Sequence, residues 1–330
     1  MTIPPEHLKR VGLKSSKGQR ALNEDNAILR DYAARPSRSR FLSLAAVADG
    51  MGGPGLGDLA SDTAVKLLNE EFNRHRAEYA GNPALTSRRL LEQVFRVINT
   101  ALLDMATLDA GLQGMGTTLT AFLAEEGKLT LAHVGDSRAY LVRKGGVVQL
   151  TRDHNLRSEA MEARLAGENA TRAPTAYDVP SRVLGIQEEV GIDLYEFEVL
   201  PGDMVLLSTK GLHGTVKPEE IHKIVFEAAG GMQEACNQLV ALAESRGSRD
   251  NITALLWQFP ALSTSPSYHV TPAGQETIPV APGASTNTVR IPSSGSIYIP
   301  FWERKLNAAI AFSILIAATI VGFVIGWIIF

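Results

Sequence analysis

Short acidic clusters that follow apolar runs are the residues of this chain best suited to chemistry. Four of them are spread through the first 260 residues: Arg20-Ala21-Leu22-Asn23-Glu24-Asp25, Asp49-Gly50-Met51-Gly52-Gly53, Gly135-Asp136-Ser137-Arg138 and Arg249-Asp250-Asn251. Hard divalent cations such as Mg²⁺ take oxygen ligands and keep several waters, so carboxylates held at the ends of strands suit them. The pattern predicts a cation site assembled from distant parts of the chain.

Asp49 shows why a single cluster is not enough to predict a site. It closes the apolar run of residues 41–48 and opens a glycine-rich turn. Glycines in such a turn permit positive φ and leave backbone amides and carbonyls open to a ligand. Alone, this stretch signals only a turn, and the pair Glu24-Asp25 alone fits a solvated pair or a helix N-cap. The prediction of a site therefore depends on several motifs occurring together.

Six motifs do occur together, in one order, between about residues 10 and 258: Arg20-x-x-x-Glu24-Asp25, Asp49-Gly50-Met51-Gly52-Gly53, Gly116-Thr117-Thr118, Val134-Gly135-Asp136-Ser137-Arg138, Ser181-Arg182-Val183-Leu184-Gly185 and Asp250-Asn251. The series resembles the metal-dependent PPM (PP2C-like) protein serine/threonine phosphatases. The resemblance implies an α+β fold with four layers (α-β-β-α), in which two stacked antiparallel sheets carry helices on both outer faces. It also implies a binuclear Mn²⁺ or Mg²⁺ centre at one edge of the sandwich.

The same resemblance implies a role for each acidic residue. Asp49 bridges the two metals, Glu24 and the Gly50 carbonyl hold the second, Asp250 holds the first, Arg20 grips the substrate phosphate, Asp25 orients the attacking water, and Asp136 is the position of an accessory third metal. The chemistry is consistent with these roles. Two neighbouring cations lower the pKa of a water and neutralise charge on the phosphoryl oxygens, and a guanidinium matches the remaining phosphate oxygens bidentately.

One position departs from the family pattern. Where the family continues Ser-Asp-Gly and uses the aspartate as a ligand of the first metal, this chain reads Ser208-Thr209-Lys210-Gly211-Leu212. An ammonium in place of a carboxylate changes the local charge by two units, which predicts that the first metal site is not intact and that one ion binds rather than two. We expect Lys210 to fill part of that volume and to pair with Asp250 or Asp49, since opposite charges about 4 Å apart attract by several kcal/mol in a half-buried setting. The alternative is a lysine that points into solvent.

Two functions follow from this departure. The favoured one is a phosphatase that removes phosphate from serine or threonine of a phosphoprotein, with a serine/threonine kinase as an expected partner. The rival is a pseudophosphatase, in which Arg20 and the remaining acidic residues bind a phosphoprotein without hydrolysing it. A nucleotide-binding module built on the glycine turn at Asp49 is disfavoured, because neither a Gly-x-Gly-x-x-Gly fingerprint nor a Walker lysine is present.

Composition excludes other classes. With 330 residues, a net charge of −3 and 45% hydrophobic residues, the chain can bury a substantial core. A pI near 6.2 argues against a nucleic-acid partner, since such proteins carry a concentrated basic face. The single cysteine, Cys236, excludes a disulfide within the chain and fits a small buried residue on a helix.

The last 70 residues differ from the rest. Residues 260–303 are rich in Pro, Ser, Thr and Gly and nearly uncharged, which predicts a disordered linker after a phosphatase-like domain of residues 1–259. Residues 304–330 predict a transmembrane anchor, because no charge occurs from Ala308 onward and about 20 apolar residues cross a bilayer core. Arg304 and Lys305 on its N-terminal flank place the domain in the cytoplasm, at the cell membrane and close to the lipid bilayer. The alternative is a buried core helix.

Hydrophobic periodicity predicts the elements that position the site. Strands are expected at residues 41–48, 117–124, 128–134, 139–143, 193–200, 204–208 and 252–258, with a hairpin turn at Glu125-Glu126-Gly127. Apolar residues at helical spacing predict helices near residues 60–72, 91–105 and 221–243, the last interrupted at Gly230-Gly231. Hairpins without regular βαβ alternation favour layered antiparallel sheets. His154 is expected to play a structural role, and His213 to lie at the surface.

Overall fold

The computed structural model of the protein describes residues 10–32, 40–53, 55–165, 179–260 and 288–289. Its strands are β1 (Val11–Ser16), β2 (Asp25–Asp31), β3 (Phe41–Met51), β4 (Gly116–Thr117), β5 (Leu119–Glu125), β6 (Lys128–Val134), β7 (Arg138–Arg143), β8 (Gly146–Gln149), β9 (Asp193–Glu198), β10 (Met204–Ser208), β11 (Ile252–Gln258) and β12 (Thr288–Val289). Its helices are α1 (Leu56–Gly81), α2 (Ser87–Leu108), α3 (Leu156–Leu165), α4 (Lys210–His213), α5 (Pro218–Glu227) and α6 (Met232–Ser245).

These strands form two sheets. One has the order β1-β11-β10-β7-β8, and the other has the order β12-β9-β6-β5-β3-β2 with β4 beside β3. Neighbouring strands are antiparallel, except that β12 runs parallel to β9. Strands β1 and β2 are therefore the edges of different sheets, although they follow one another in the chain.

Alternation of side chains along the strands produces three cores. On β3, Ala45 and Val47 pack between the sheets with residues such as Trp257, whereas Leu44 and Ala46 face the layer of α1 and α2, where Phe95 lies. The other sheet packs against α5 and α6 through residues that include Leu206 and Cys236. Because both faces of the central strands are buried, their sequences are continuously apolar, as seen in residues 44–48. The result is the expected α+β arrangement of two stacked sheets with helices outside them.

Most of the predicted elements are present with small changes at their ends. Strands 128–134, 204–208 and 252–258 have the predicted bounds, and Glu125 pairs with Lys128 across the predicted hairpin turn. The strand predicted at 117–124 is divided at Thr118, whose backbone N–H instead donates to the carbonyl of Asp49 at 2.9 Å. The helix predicted over 221–243 is two helices, α5 and α6, separated at the predicted glycines. Cys236 is buried on α6, as expected.

The predicted linker and anchor lie outside the described residues, apart from Pro260, Thr288 and Val289. Thr288 and Val289 pair with Glu196 and Phe197 of β9. Within the described part of the chain, no helix combines the length and the apolar character that crossing a membrane requires.

Candidate active site

Two carboxylates face each other on neighbouring strands at one end of the sandwich. Asp25, the first residue of β2, is directly opposite Asp49 in the register of β2 and β3. The ends of β1, β10 and β11 reach the same end of the molecule, since their loops carry Arg20, Lys210 and Asp250 beside this pair. The sequence-predicted residues are thus brought together by the termini of five strands.

Asp25 is buried, with 5% of its surface exposed. Its Oδ2 accepts hydrogen bonds of 2.7 Å from the hydroxyls of Thr209 and Thr253, which belong to the other sheet. Its Oδ1 has no hydrogen-bond partner among the residues that the structure describes. Burial raises the pKa of Asp25 to about 7, with smaller contributions from the charges of Asp250 and Glu24, while the two threonine hydrogen bonds oppose that rise.

Asp49 is surrounded by like charge. Burial, and then the charges of Asp25, Asp250 and Asp136, raise its pKa well above the ordinary value, while the Lys210 ammonium acts in the opposite direction. Its backbone is fixed by Thr118, whose hydroxyl accepts a 3.0 Å hydrogen bond from the Asp49 N–H. Among the residues the structure describes, none donates a hydrogen bond to the carboxylate of Asp49. The rigid backbone therefore holds a carboxyl group whose charged form is disfavoured by burial and by its acidic neighbours.

Gly57, in the first turn of α1, forms a cradle that sequence analysis missed. A Cβ atom on Gly57 would lie 2.8 Å from the Gly50 carbonyl oxygen and 2.9 Å from the Glu24 carboxyl carbon. Because Gly57 has no side chain, the Gly50 carbonyl and the Glu24 carboxyl group can both approach its Cα. Gly50 is equally constrained, because its Cβ would lie 1.9 Å from the Gly57 carbonyl oxygen. The Gly50 N–H donates to the Glu24 carbonyl at 3.0 Å, which continues the pairing of the two strands.

Asn251 fixes the loop between β1 and β2. Its Oδ1 accepts from the Glu24 N–H at 2.8 Å, and its Nδ2 donates to the carbonyls of Lys17 at 2.9 Å and Leu22 at 2.8 Å. The adjacent Asp250 accepts from Arg20 Nε at 3.1 Å, and Arg20 Nη2 lies 3.0 Å from the same oxygen. Arg20 is exposed at the rim of the site, where its guanidinium remains accessible to solvent.

Lys210 forms an ion pair inside the site. Its Nζ lies 3.3 Å from Oδ2 of Asp136, a carboxylate whose side chain is 3% exposed. The sequence predicts pairing with Asp49 or Asp250, whereas this ion pair is with the residue expected to hold an accessory metal. The alternative of a lysine that points into solvent is wrong, because its Nζ lies at ion-pair distance from a buried carboxylate. The local sequence could not reveal this pairing, since Asp136 is 74 positions away in the chain.

The structure confirms the role predicted for His154 and contradicts the one predicted for His213. His154 is buried, and its Nδ1 accepts from the Gly135 N–H at 3.1 Å while its backbone N–H donates to the Gly135 carbonyl at 2.7 Å, which confirms a structural role. The surface role expected for His213 is wrong. Its ring is partly buried, its Nδ1 lies 3.0 Å from the Ser208 hydroxyl, and burial keeps its pKa well below the ordinary value.

A divalent cation takes oxygen donors of the kind found at this end of the sandwich. Among the residues that the structure describes, no three His, Cys, Asp or Glu side chains form a group that could hold a metal ion. Mg²⁺, however, commonly takes only one or two carboxylates and completes its shell with water. The Glu24 carboxyl, the Gly50 carbonyl and Asp49 provide such a set beside the Gly57 cradle, whereas the Lys210 ammonium opposes a second cation near Asp136.

The comparisons with known proteins agree with this architecture. The sequence model of the family described as Protein phosphatase 2C matches residues 19–255. The serine/threonine phosphatase stp of Listeria innocua is 33% identical over 214 residues, which cover 64% of this chain and 82% of that protein. The S. agalactiae serine/threonine phosphatase structure has a TM-score of 0.63 at 26% identity and covers 75% of this chain and 98% of its own. The catalytic domain of PstP, in complex with two manganese ions, has a TM-score of 0.60 at 30% identity, with coverages of 76% and 97%.

A two-sheet sandwich with carboxylates gathered at one end of both sheets, together with these matches, defines the class of the protein as a phosphatase. The chain belongs to the protein phosphatase 2C family of serine/threonine phosphatases.

Proposed function

We propose that the protein hydrolyses phosphoserine and phosphothreonine in phosphoprotein substrates and that it uses one Mn²⁺ or Mg²⁺ ion. The observation that carries this proposal is the pair of carboxylates at Asp25 and Asp49, opposite each other in register and raised in pKa by burial. Carboxylates kept this close without enough protein donors suit a cation. When bound, such a cation supplies charge neutralisation at the phosphoryl oxygens and makes water a better nucleophile.

The chain's own residues have distinct roles in this proposal. Arg20 binds the phosphate oxygens from the rim of the site. When its guanidinium leaves Asp250 for the substrate, no buried charge is left unpaired, because the Asp250 side chain is partly exposed to solvent. Asp25 Oδ1, which has no hydrogen-bond partner in the described part of the chain, orients the attacking water, while Thr209 and Thr253 hold the other oxygen of that carboxylate. Glu24, Asp49 and the Gly50 carbonyl are the proposed ligands of the ion, and Asp250 remains paired with Arg20 until substrate arrives.

Lys210 limits the number of ions in this scheme. Its ammonium occupies the cleft with a fixed positive charge and neutralises Asp136, so that neither a first metal nor an accessory metal is required there. The expected consequence is weak or substrate-restricted turnover. The Lys210 ammonium supplies positive charge, but it does not activate water as a metal ion would.

The same ion pair also supports a second candidate, a phosphoprotein-binding pseudophosphatase. If Lys210 prevents the site from assembling around any cation, Arg20 and the remaining pocket would still recognise a phosphorylated side chain. The two candidates make different predictions for turnover.

One experiment separates the two candidates. The full-length protein in detergent is assayed with a small aryl phosphate and a phosphothreonine peptide in Mn²⁺, beside Asp49→Asn and Lys210→Asp. We expect weak turnover that Asp49→Asn abolishes and Lys210→Asp raises. The matched controls, Asp104→Asn on α2 and Lys223→Asp on α5, change the same charges on exposed positions and should have little effect. Activity that appears only in Lys210→Asp would instead support the binding module.

We also propose that the domain is tethered to the cytoplasmic face of the cell membrane and acts opposite a serine/threonine kinase. Support comes from the uncharged apolar stretch of residues 308–330 and the preceding Arg304 and Lys305. The test is extraction of membranes with alkaline carbonate, after which the full-length protein should stay in the pellet. Its release into the supernatant would contradict the tether.

A further inference from the structure

A groove on the side of the sandwich lies between the edges of the two sheets. Its volume is about 370 Å³, and it is lined by residues 11–13 of β1, residues 27–30 of β2, part of α1 and Gln233 of α6. None of these residues has a role in the proposed reaction. Because a strand rises about 3.3 Å per residue, the groove begins about 7 Å along β2 from Asp25 and extends to about 17 Å. An extended chain can therefore reach from the active site into the groove.

The edge of β2 offers unpaired backbone groups to this groove. The Tyr32 N–H donates to the Leu42 carbonyl at 2.8 Å, and the Gly50 N–H donates to the Glu24 carbonyl, so the even-numbered residues of β2 bond to β3. The odd-numbered residues Ala27 and Leu29 consequently direct their N–H and C=O groups outward. In the described part of the chain, no strand pairs with this edge.

The edge of β1 on the opposite side is already covered. The Leu13 N–H donates to Gln233 Oε1 at 3.1 Å, and Gln233 Nε2 donates to the Leu13 carbonyl at 2.9 Å. This side-chain amide takes the place that a neighbouring strand would fill. On β2 the corresponding contact seen among the described residues is weak, a 3.4 Å hydrogen bond from the Arg30 side chain to the carbonyl of Leu29. An added strand would therefore pair with β2 rather than β1.

The positive charge of the groove indicates that an added strand would carry acidic side chains. Arg30 and Lys66 line it, and none of the lining residues that the structure describes carries a carboxylate. Arg30 is held over the groove by a 3.0 Å hydrogen bond from its Nε to Asn69 Oδ1. Lys66 pairs with Asp62 on the same exposed face of α1, and such surface pairs contribute little and exchange easily. The predicted linker of this chain does not match, because its 44 residues contain only two acidic ones, Glu276 and Glu303.

We propose that this groove binds an extended acidic segment of the phosphoprotein substrate, which adds a strand to the edge of β2 while the phosphorylated residue occupies the active site. The assignment of the segment to a substrate rests on the proposed function; the binding of an acidic strand does not. Backbone pairing with Ala27 and Leu29 supplies affinity, and the two cations supply the preference for acidic side chains.

Binding is tested first without turnover. The probe is a fluorescein-labelled, unphosphorylated peptide of about eight residues, a common strand length, with alternating valine and glutamate. With full-length protein in detergent and EDTA, anisotropy should show binding that Arg30→Glu weakens about fivefold or more. The control Arg96→Glu makes the same charge change on α2, at an exposed arginine that pairs with Glu92 one helical turn away. It should leave the affinity for the peptide unchanged. Equal affinities in the two variants would overturn the proposal.

Hydrogen exchange tests the mode of binding. The peptide should slow exchange of the Ala27 and Leu29 amides, while a valine–lysine peptide should not. Two other results would overturn the proposal. Protection of both amides in the free protein, independent of concentration, would mean that the groove holds another segment of its own chain, and protection that grows with concentration would mean a second copy.

The link to the substrate has its own test. A phosphothreonine peptide extended by valine–glutamate residues should have a lower KM than the unextended peptide, and Arg30→Glu should remove that difference without lowering kcat. Binding of the acidic probe without any difference in KM would refute the substrate assignment. An absence of all turnover, with the probe still protecting β2, would count against the proposed function and leave the acidic-strand site intact.

Discussion

The ammonium of Lys210 lies 3.3 Å from the carboxylate of Asp136, at the end of the sandwich where the acidic residues meet. Lys210 follows β10 and Asp136 precedes β7, the strand that pairs with β10. Asp136 is 3% exposed and Lys210 is 31% exposed, so the pair is unequal. Removing the lysine strands a buried anion, whereas removing the carboxylate leaves a cation that water can reach. Because of this asymmetry, substituting either residue alone should change the stability of the protein by a different amount.

Lys210→Met should therefore destabilise the metal-free protein more than Asp136→Asn does. We expect a loss of about 1–3 kcal/mol in the free energy of unfolding for Lys210→Met, and a smaller loss for Asp136→Asn. The measurement is urea unfolding in EDTA for both variants and for the double variant, which should be more stable than the sum of the two losses predicts. Additive losses would show that the two charges do not interact.

The pKa of Asp25 leads to a prediction about pH. Burial raises it to about 7 in the folded protein from 3.8, so the folded state holds a proton that the unfolded state releases between these two values. The stabilising contribution is therefore fully present below pH 3.8 and is lost as pH rises through 7. In EDTA, Asp25→Asn should gain stability relative to the parent by up to about 1.4 kcal/mol per pH unit across this window. The same comparison with the exposed Asp104→Asn should show no trend, and a flat difference for Asp25→Asn would contradict the prediction.

The sequence predicted which acidic residues meet at one end of the sandwich, but it did not predict the residues that support them, for a physical reason. Asp49 and Asp250 stand where apolar runs meet polar turns, and such boundaries are visible in a linear pattern. Thr253 lies inside the apolar strand β11 and reads as an ordinary β-branched residue, yet its hydroxyl crosses to Asp25 in the other sheet. Gly57 reads as a helix residue, and only its contact with Gly50 shows why a side chain is excluded there. Contacts between elements of this kind are set by tertiary packing, which periodicity does not encode.

The loop that carries Arg20 depends on Asn251. Its side chain makes three hydrogen bonds to backbone groups of residues 17, 22 and 24, and all three are lost in Asn251→Ala, although the Lys17 carbonyl keeps its 3.1 Å bond from the Arg20 N–H. We expect a loss of about 1–3 kcal/mol in the free energy of unfolding, together with a raised KM for aryl phosphate because Arg20 is no longer held at the rim. Urea unfolding and steady-state kinetics measure the two effects. Asn73→Ala, at an exposed position of α1, is the control; an unchanged KM in Asn251→Ala would show that the loop keeps its position by other contacts.

Gly57→Ala tests the cation site without removing any ligand. The added Cβ would lie 2.7 Å from the Gly50 carbonyl carbon and 2.9 Å from the Glu24 carboxyl carbon, so these two groups must separate. We expect the affinity for Mn²⁺, measured by titration calorimetry, to fall about tenfold or more, since a cation tolerates little change in ligand position. Gly81→Ala is a close control, because Gly81 ends the same helix and its Cβ would meet nothing within 4 Å. That variant should bind Mn²⁺ as the parent does. If Gly57→Ala also keeps the parent affinity, the ion does not bind between Glu24 and Gly50, and the ligand set proposed for it is wrong.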